Sequence, residues 1–205
     1  VGHTYSRVAR AHGIEADETA LTKAFGTVWK RTPPAFSGSP ATSDLNERDW
    51  WRELVREVFT EAGAASASTN QFDLFFDVLY RHYELPGTWI ADPDAQTTLE
   101  LVSRNYPCAL LSNFDRRLLS ILDHFDLLHY FHHRILSCEV KASKPDPKIY
   151  AVACEALGVP PSHILHVGDD PVCDWDGARN AGFQVFRVER DRRRLGELLS
   201  ELSLA

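Results

Sequence analysis

Apolar side chains recur at helical spacing through roughly the first 88 residues of the chain. In one stretch the apolar positions are Trp50, Trp51, Leu54, Val55, Val58 and Phe59. In the next stretch they are Phe72, Phe75, Phe76, Leu79, Tyr80 and Tyr83. Residues three and four positions apart share one helix face, so each stretch predicts an amphipathic helix, preceded by another over residues 17–31 with Asp17 as N-cap. Such aromatic stripes can line a substrate entrance, but we expect them to form the core of a helical bundle.

The pattern changes at about Trp89, after which short apolar runs alternate with helical stretches. The runs predict strands over residues 106–111, 134–138, 164–167 and 183–188. Helices are predicted over residues 146–157 and at the C-terminus, where Leu195, Leu198, Leu199 and Leu202 repeat at helical spacing. Strands that alternate with helices indicate a parallel sheet. We therefore expect an α/β protein with a helical domain over residues 1–88 and a Rossmann-like core over residues 89–205.

Composition and charge narrow the class of protein. The 205 residues are 44% hydrophobic and 25% charged, which is typical of a folded domain and not of a disordered chain. The net charge of −7 argues against a nucleic-acid partner or an anionic membrane surface. The four cysteines are widely spaced without a C-x-x-C pair, so we expect reduced thiols and a cytoplasmic protein.

Three acids follow the predicted strand over residues 164–167. Asp169 and Asp170 come directly after Gly168, and Asp174 lies about one helical turn further along. Carboxylates that converge at the end of a buried strand suit Mg²⁺, which prefers oxygen ligands and keeps several waters. The alternative is that these acids cap a helix, but three of them at one turn exceed what capping requires.

Two further motifs fall at the ends of predicted strands. Ser112 and Asn113 follow the strand over residues 106–111, where a hydroxyl and backbone N–H groups can hold a phosphate. Lys144 precedes Pro145 in an extended segment and can direct its ammonium at the same anion. Taken alone, each signal is weak, because Ser and Asn also begin helices and most lysines are simply exposed.

The order of these motifs resembles the haloacid dehalogenase (HAD) superfamily. Its second, third and fourth motifs are similar to L-L-S-N-F-D at residues 110–115, S-K-P-D-P-K-I-Y at residues 143–150 and H-V-G-D-D-P…G-A-R-N-A-G at residues 166–182. The helical first 88 residues resemble the cap that many members carry. The resemblance implies that Ser112 and the amide of Asn113 bind a phosphoryl group and that Lys144 neutralises it. It also implies Mg²⁺ on Asp169 and Asp174, with Asp170 as a further ligand, directly or through water.

The first motif of the superfamily, a strand ending in D-x-D-G-T or a near variant, has no counterpart here. That motif carries the Asp nucleophile on the central strand, between the strands of Ser112 and Asp169. The chain begins at Val1 and contains no Met, so we expect an incomplete core that lacks this strand. The resulting gap has to be closed by sheet collapse, by an element of a partner chain or by segment exchange within a homodimer.

The resemblance implies Mg²⁺-dependent hydrolysis of a small phosphate ester, with Lys144 and Asp170 as candidate catalytic residues. Because the nucleophile is absent, activity would rely on a metal-activated water or a substitute group; Cys173 is a weak candidate for the latter. Dehalogenation is less favoured, because the acid cluster indicates a metal that dehalogenases of this superfamily generally do not use. The alternatives are a catalytically silent truncated homologue and a fragment of an ordinary phosphatase.

Overall fold

A computed structural model describes residues 1–37, 46–64, 68–189 and 191–204 of the protein. Within these ranges the chain forms two compact units. The first, here the helical unit, contains Val1–Ala35 and the described residues from Asn46 to Thr88. The second, here the α/β unit, contains Phe36 and the described residues from Trp89 onward.

The helical unit consists of α1 (Gly2–Arg10), α2 (Glu18–Arg31), α3 (Glu47–Glu61) and α4 (Thr69–His82). Polar side chains stop three of these helices from fraying at their first turn, where backbone N–H groups have no partner within the helix. Asp17 accepts a hydrogen bond from the N–H of Ala20 at 2.8 Å, which confirms the predicted N-cap of α2. Asn46 and Ser68 cap α3 and α4 in the same way.

The predicted aromatic stripes form the core of the helical unit. The buried side chains of α3 and α4 include Trp50, Leu54, Val55, Val58, Phe59, Phe72, Phe75, Phe76 and Leu79. The rings of Phe59 and Phe75 pack with their centroids 5.0 Å apart, and Tyr5 of α1 stacks on Phe59. The expectation of a bundle core is therefore confirmed for most of the stripe, while Trp51, Tyr80 and Tyr83 are only half-buried.

The α/β unit alternates short strands with helices. Its strands are β1 (Ala109–Ser112), β2 (His133–Leu136), β3 (Leu165–Gly168) and β4 (Gln184–Arg187). Its helices are α5 (Ala95–Ser103), α6 (Arg117–His124), α7 (Ser137–Val140), α8 (Pro147–Leu157), α9 (Gly177–Asn180) and α10 (Glu197–Glu201). One-turn 3-10 helices lie at Leu128–Tyr130 and Pro161–His163, and a π-helical turn spans Pro171–Asp176.

The strands pair in parallel as two separate ribbons in the described part of the chain. β1 pairs with β2, with Leu111 opposite Ile135, and β3 pairs with β4, with Gly168 opposite Arg187. Apolar side chains of both ribbons and of α8 share one core, formed by Ile135, Ala142, Ile149, Tyr150, Ala153, Ile164, Ala178 and Phe183. The expected α/β class is confirmed.

Three of the four observed strands are shorter than the predicted ones, and β3 keeps its length but lies one residue later. The first begins at Ala109 instead of Tyr106, because the Tyr106 amide donates to Val102 and completes the end of α5. The second ends at Leu136, where α7 begins at Ser137 instead of the strand continuing to residue 138. Phe183 precedes β4 because its amide donates to Ala178 at 2.9 Å.

The longest helix, α3, contains 15 residues. No helix in the described ranges combines the length and apolar character that a membrane crossing requires. The cysteines at positions 108, 138, 154 and 173 are all free thiols, as the sequence predicted.

Candidate active site

The end of β1 and the loop before α8 are joined by the side chain of Asn113. Its Nδ2 donates to the carbonyl of Lys144 at 2.8 Å, and its Oδ1 accepts from the Lys144 amide at 2.7 Å. This pair of bonds resembles the pairing between two strands and fixes the position of the Lys144 backbone. The half-buried Ser112 precedes Asn113, and no described residue hydrogen-bonds to its hydroxyl.

Lys144 is buried, and its ammonium lies between β1 and the segment after β3. Nζ donates to the carbonyl of Leu111 at 3.1 Å and to Oδ1 of Asp174 at 2.6 Å. An ammonium group carries three N–H donors. One donor therefore has no acceptor among the described residues.

Asp174 is buried. Together with the residues that contact it, it forms a group that is here called the cluster. Its Oδ1 also lies 2.9 Å from Nε2 of His166, and its Oδ2 accepts the amides of Asp169 and Asp170, each at 3.1 Å. These contacts engage about four acceptor positions, which is all that a carboxylate offers. Burial by itself would raise the pKa of Asp174, but the hydrogen bond from His166 and the charge of Lys144 outweigh it and hold that pKa well below its usual range. Asp174 is thus ionised at neutral pH.

A glycine and a π-helical turn make room for this carboxylate. A Cβ at Gly168 would lie 2.3 Å from Cγ of Asp174, so no larger residue fits at the end of β3. The amide of Trp175 donates to the carbonyl of Asp170, five residues back, which widens the turn beyond an α-helix. The indole of Trp175 donates to the carbonyl of Gly168 at 3.0 Å and ties the turn to β3.

Asp169 and Asp170 lie exposed at the mouth of the cluster. Oδ1 of Asp170 accepts the amides of Val172 and Cys173 at 2.9 and 2.6 Å, so this acid does perform the capping role that the sequence left open. The carboxylate of Asp169 has no hydrogen-bond or ion-pair partner among the residues described. Of the three acids, Asp169 has the carboxylate that is free for another ligand.

The donor set decides how a Mg²⁺ ion would fit. The described residues contain no group of three or more His, Cys, Asp or Glu side chains arranged around one point. Mg²⁺ usually takes only one or two carboxylates and fills its remaining positions with waters and substrate oxygens. Asp169, with the second oxygen of Asp170, meets that requirement, whereas the acceptor positions of Asp174 are already occupied by Lys144, His166 and the two amides.

Cys173 lies inside the cluster, but its environment suppresses its reactivity. Its Sγ is 3.3 Å from the carbonyl of Lys144. Burial, together with the negative charge of Asp170, raises the pKa of the Cys173 thiol to about 12. The thiolate is therefore scarce at neutral pH, which argues against Cys173 as a substitute nucleophile.

Sequence reasoning assigned no role to two members of the cluster, His166 and Tyr150. His166 points from β3 at Asp174, and the buried hydroxyl of Tyr150 donates to the carbonyl of Cys173. Both residues stand inside the quoted motifs. The signal for His166 was a polar residue at the centre of an otherwise apolar strand, since such a residue needs a buried partner.

Comparison with known proteins agrees with the motif order. The family model described as haloacid dehalogenase-like hydrolase matches residues 3–182. A mouse protein, haloacid dehalogenase-like hydrolase domain-containing protein 3, is 33% identical over 189 residues, which are 92% of this chain and 74% of the mouse protein. The (S)-2-haloacid dehalogenase 4A of Burkholderia cepacia is 32% identical over 180 residues, covering 85% of this chain and 74% of the enzyme.

A solved structure extends the comparison to the fold. The putative HAD-hydrolase YfnB of Bacillus subtilis superposes with a TM-score of 0.74 over 98% of this chain and 92% of its own. The two sequences are only 14% identical, so the similarity concerns the fold and not the chemistry.

Proposed function

This chain belongs to the haloacid dehalogenase-like hydrolase family, and on that premise we propose that it hydrolyses small phosphate esters with the help of Mg²⁺. One observation carries the proposal. The ammonium of Lys144 bridges the Leu111 carbonyl of β1 and Asp174 after β3 and retains one N–H without an acceptor among the described residues, and Ser112 directly follows Leu111 in β1. Parallel sheets bind ligands at the carboxyl ends of their strands.

The charges at this edge suit a phosphoryl group better than an apolar substrate. Lys144 supplies a buried positive charge, and hydrogen bonds to charged groups are stronger than neutral ones. Ser112 and the amide of Asn113 would donate to two further oxygens, because a hydroxyl and a backbone N–H both serve as donors at phosphate sites. Asn113 holds the loop of Lys144 in place, so the donors are positioned before the ligand arrives.

Asp169, with Asp170, would hold the metal, and Asp174 would keep both acids in place through the bonds to their amides. Bound there, Mg²⁺ would offset the charge of the phosphoryl oxygens and lower the pKa of a water molecule in its coordination shell. The YfnB structure is bound to magnesium, which supports the metal by analogy of fold. In this proposal Asp170 orients the attacking water, while Lys144 stabilises the charge that develops on the phosphoryl oxygens.

The proposal is tested with an aryl phosphate and purified protein whose intact mass has been compared with the 23.2 kDa of these residues. We expect phosphate release that requires Mg²⁺, stops with EDTA and falls by at least about 100-fold in Asp169→Asn. Asp176→Asn is the matched control, because Asp176 is an exposed acid of the same turn and, among the described residues, forms an ion pair only with Arg179 at 3.4 Å. Its activity should equal that of the unaltered protein.

Other outcomes would favour the rivals. The resemblance to the Burkholderia cepacia enzyme makes dehalogenation the second candidate, so chloride release from (S)-2-chloropropionate is measured alongside. Chloride release without Mg²⁺, together with no phosphate release, would replace the phosphatase by a dehalogenase. No turnover of either substrate class at the expected mass would favour the silent homologue.

We propose further that a second copy of the chain closes the open edges of β1 and β3. In the described residues each of these strands pairs on one side only, and every residue of β1 is just half-buried although the strand is mainly apolar. The Leu111 carbonyl of β1 accepts a lysine side chain instead of a strand amide. Light scattering after size exclusion should give twice the chain mass; a monomer that stays soluble would contradict this arrangement.

A further inference from the structure

His166 is a buried residue for which the proposed function has no role. It lies in β3 opposite Val185, and only about a tenth of its side chain is exposed. Buried polar groups cost free energy unless they are hydrogen-bonded. An aliphatic residue would serve the core at least as well, so the histidine needs a reason of its own.

The imidazole ring of His166 packs against two aromatic rings, and one of its nitrogens faces a single acceptor. Tyr150 packs edge-on at 6.3 Å between centroids, and Phe183 lies at 6.5 Å. Nε2 lies 2.9 Å from Oδ1 of Asp174. A carboxylate oxygen only accepts hydrogen bonds, so Nε2 carries the proton and donates it.

The same oxygen is the one that Lys144 contacts. Oδ1 of Asp174 accepts Nζ of Lys144 at 2.6 Å beside the imidazole N–H. Two donors on one oxygen compete for its electron density, whereas a single donor would receive all of it. In a site of low dielectric, an Asp174 with Lys144 as its only side-chain donor would hold the ammonium more strongly.

We propose that His166 is a positioning residue that shares Oδ1 of Asp174 with Lys144 and thereby keeps the ammonium of Lys144 available to the phosphoryl group of the substrate. The inference rests on the proposed function, since it assigns Lys144 to phosphate binding. The bond to His166 also keeps Asp174 turned so that its Oδ2 receives the amides of Asp169 and Asp170. Loss of the imidazole N–H would therefore weaken anion binding without any loss of a ligand contact.

The test compares a variant without a donor, His166→Leu, with His166→Gln, whose amide donates at a similar reach. Binding of inorganic phosphate in the presence of Mg²⁺ is measured by calorimetry. We expect the Kd of His166→Leu to rise about five- to tenfold, and that of His166→Gln to stay within about twofold. His163→Leu is the matched control, because His163 is an exposed histidine on the turn before β3 and should bind phosphate normally.

A second measurement needs no ligand and separates this inference from the proposed function. The rate of Lys144 acylation by an amine reagent, followed by peptide mass spectrometry, should fall about threefold in His166→Leu and not in His166→Gln. If the unaltered protein binds no phosphate, the proposed function fails, and the labelling rates alone decide the role of His166.

Two results would overturn the role of His166. One is a His166→Leu variant that matches the unaltered protein in both measurements. The other is an equal loss in the Leu and Gln variants at unchanged thermal midpoints, which would mean that only the packing of the ring matters. Should His166→Leu fail to fold, His166→Phe retains a ring without the donor and is measured in its place.

Discussion

The helical unit buries almost exclusively apolar side chains, with Phe75 and Val58 fully enclosed, whereas the α/β unit encloses Lys144, His166 and Asp174 beside its apolar core. Both units gain free energy from apolar burial. In the α/β unit the buried carboxylate of Asp174 meets two basic side chains on one oxygen. The difference separates positions that stabilise the fold from positions that prepare a site.

Most charges in the helical unit lie on its outside instead, with Glu47 as a buried exception. Arg48 pairs with Asp77, and Arg52 pairs with Asp73, between α3 and α4; both pairs are substantially exposed. Exposed pairs of this kind contribute about 0–1 kcal/mol each. A buried pair costs more desolvation than it returns in many proteins, so it is weak evidence for stability. The cluster around Asp174 is therefore better explained by function.

The largest expected effect comes from removing the buried positive charge of Lys144. Lys144→Met leaves Asp174 without its ammonium, so we expect activity to fall by at least about 100-fold and the free energy of unfolding by about 3–5 kcal/mol. The double variant Lys144→Met, Asp174→Leu should recover most of the stability and none of the activity. Denaturant unfolding and the phosphatase assay measure both quantities. If the double variant were as active as the unaltered protein, the buried charges of the α/β unit would not serve the site.

The next effect should be confined to stability. Phe75 of the helical unit is fully buried against Phe59 and Phe72. Phe75→Ala opens a cavity there and should lower the free energy of unfolding by about 3–5 kcal/mol, with a smaller loss in Phe75→Leu. Calorimetric phosphate affinity, measured where the variant is folded, should stay unchanged. A weakened affinity would show that the helical core also prepares the site.

The smallest effect concerns pH. The ordinary pKa of an Asp is 3.8, and that of Asp174 is lowered by His166 and Lys144 against the cost of burial. Its contribution to stability is therefore complete above about pH 4 and is lost as the pH falls towards the lowered pKa of the folded state. Between pH 4.5 and 2.5 we expect a loss of about 1 kcal/mol that the variant Lys144→Met, Asp174→Leu does not show. If the free energy of unfolding of the two proteins changed equally with pH, Asp174 would not be the ionised group that this prediction requires.

The sequence predicted those parts of the site that depend on chain order. Apolar runs located the four strands, and parallel strands end at one edge, so Ser112, Lys144 and Asp169 were expected near each other. The partners of Lys144 could not be predicted in this way. Its pairing with Asp174 and the Leu111 carbonyl depends on the path of a loop, which the side chain of Asn113 sets by imitating a strand.

Strand limits and capping were decided by local hydrogen bonds that the pattern of apolar residues does not reveal. Tyr106 fits a strand pattern, but its amide completes α5. Asp170 was predicted as a catalytic residue and a metal ligand, and the structure adds a capping role that competes for one of its oxygens. Its catalytic assignment stays a prediction, as do the assignments of Asp169 and Asp174 to the metal.

The π-helical turn at Pro171–Asp176 has a consequence for the descent of this chain. Successive residues of an α-helix are rotated by about 100° around its axis. One residue fewer between Asp170 and Asp174 would therefore carry the second acid away from Lys144, even with every motif letter retained. In this turn, the number of residues matters to the site as much as their identity. A deletion of one codon here would disrupt the site. The motif residues of such a descendant would still identify it as a member of the family.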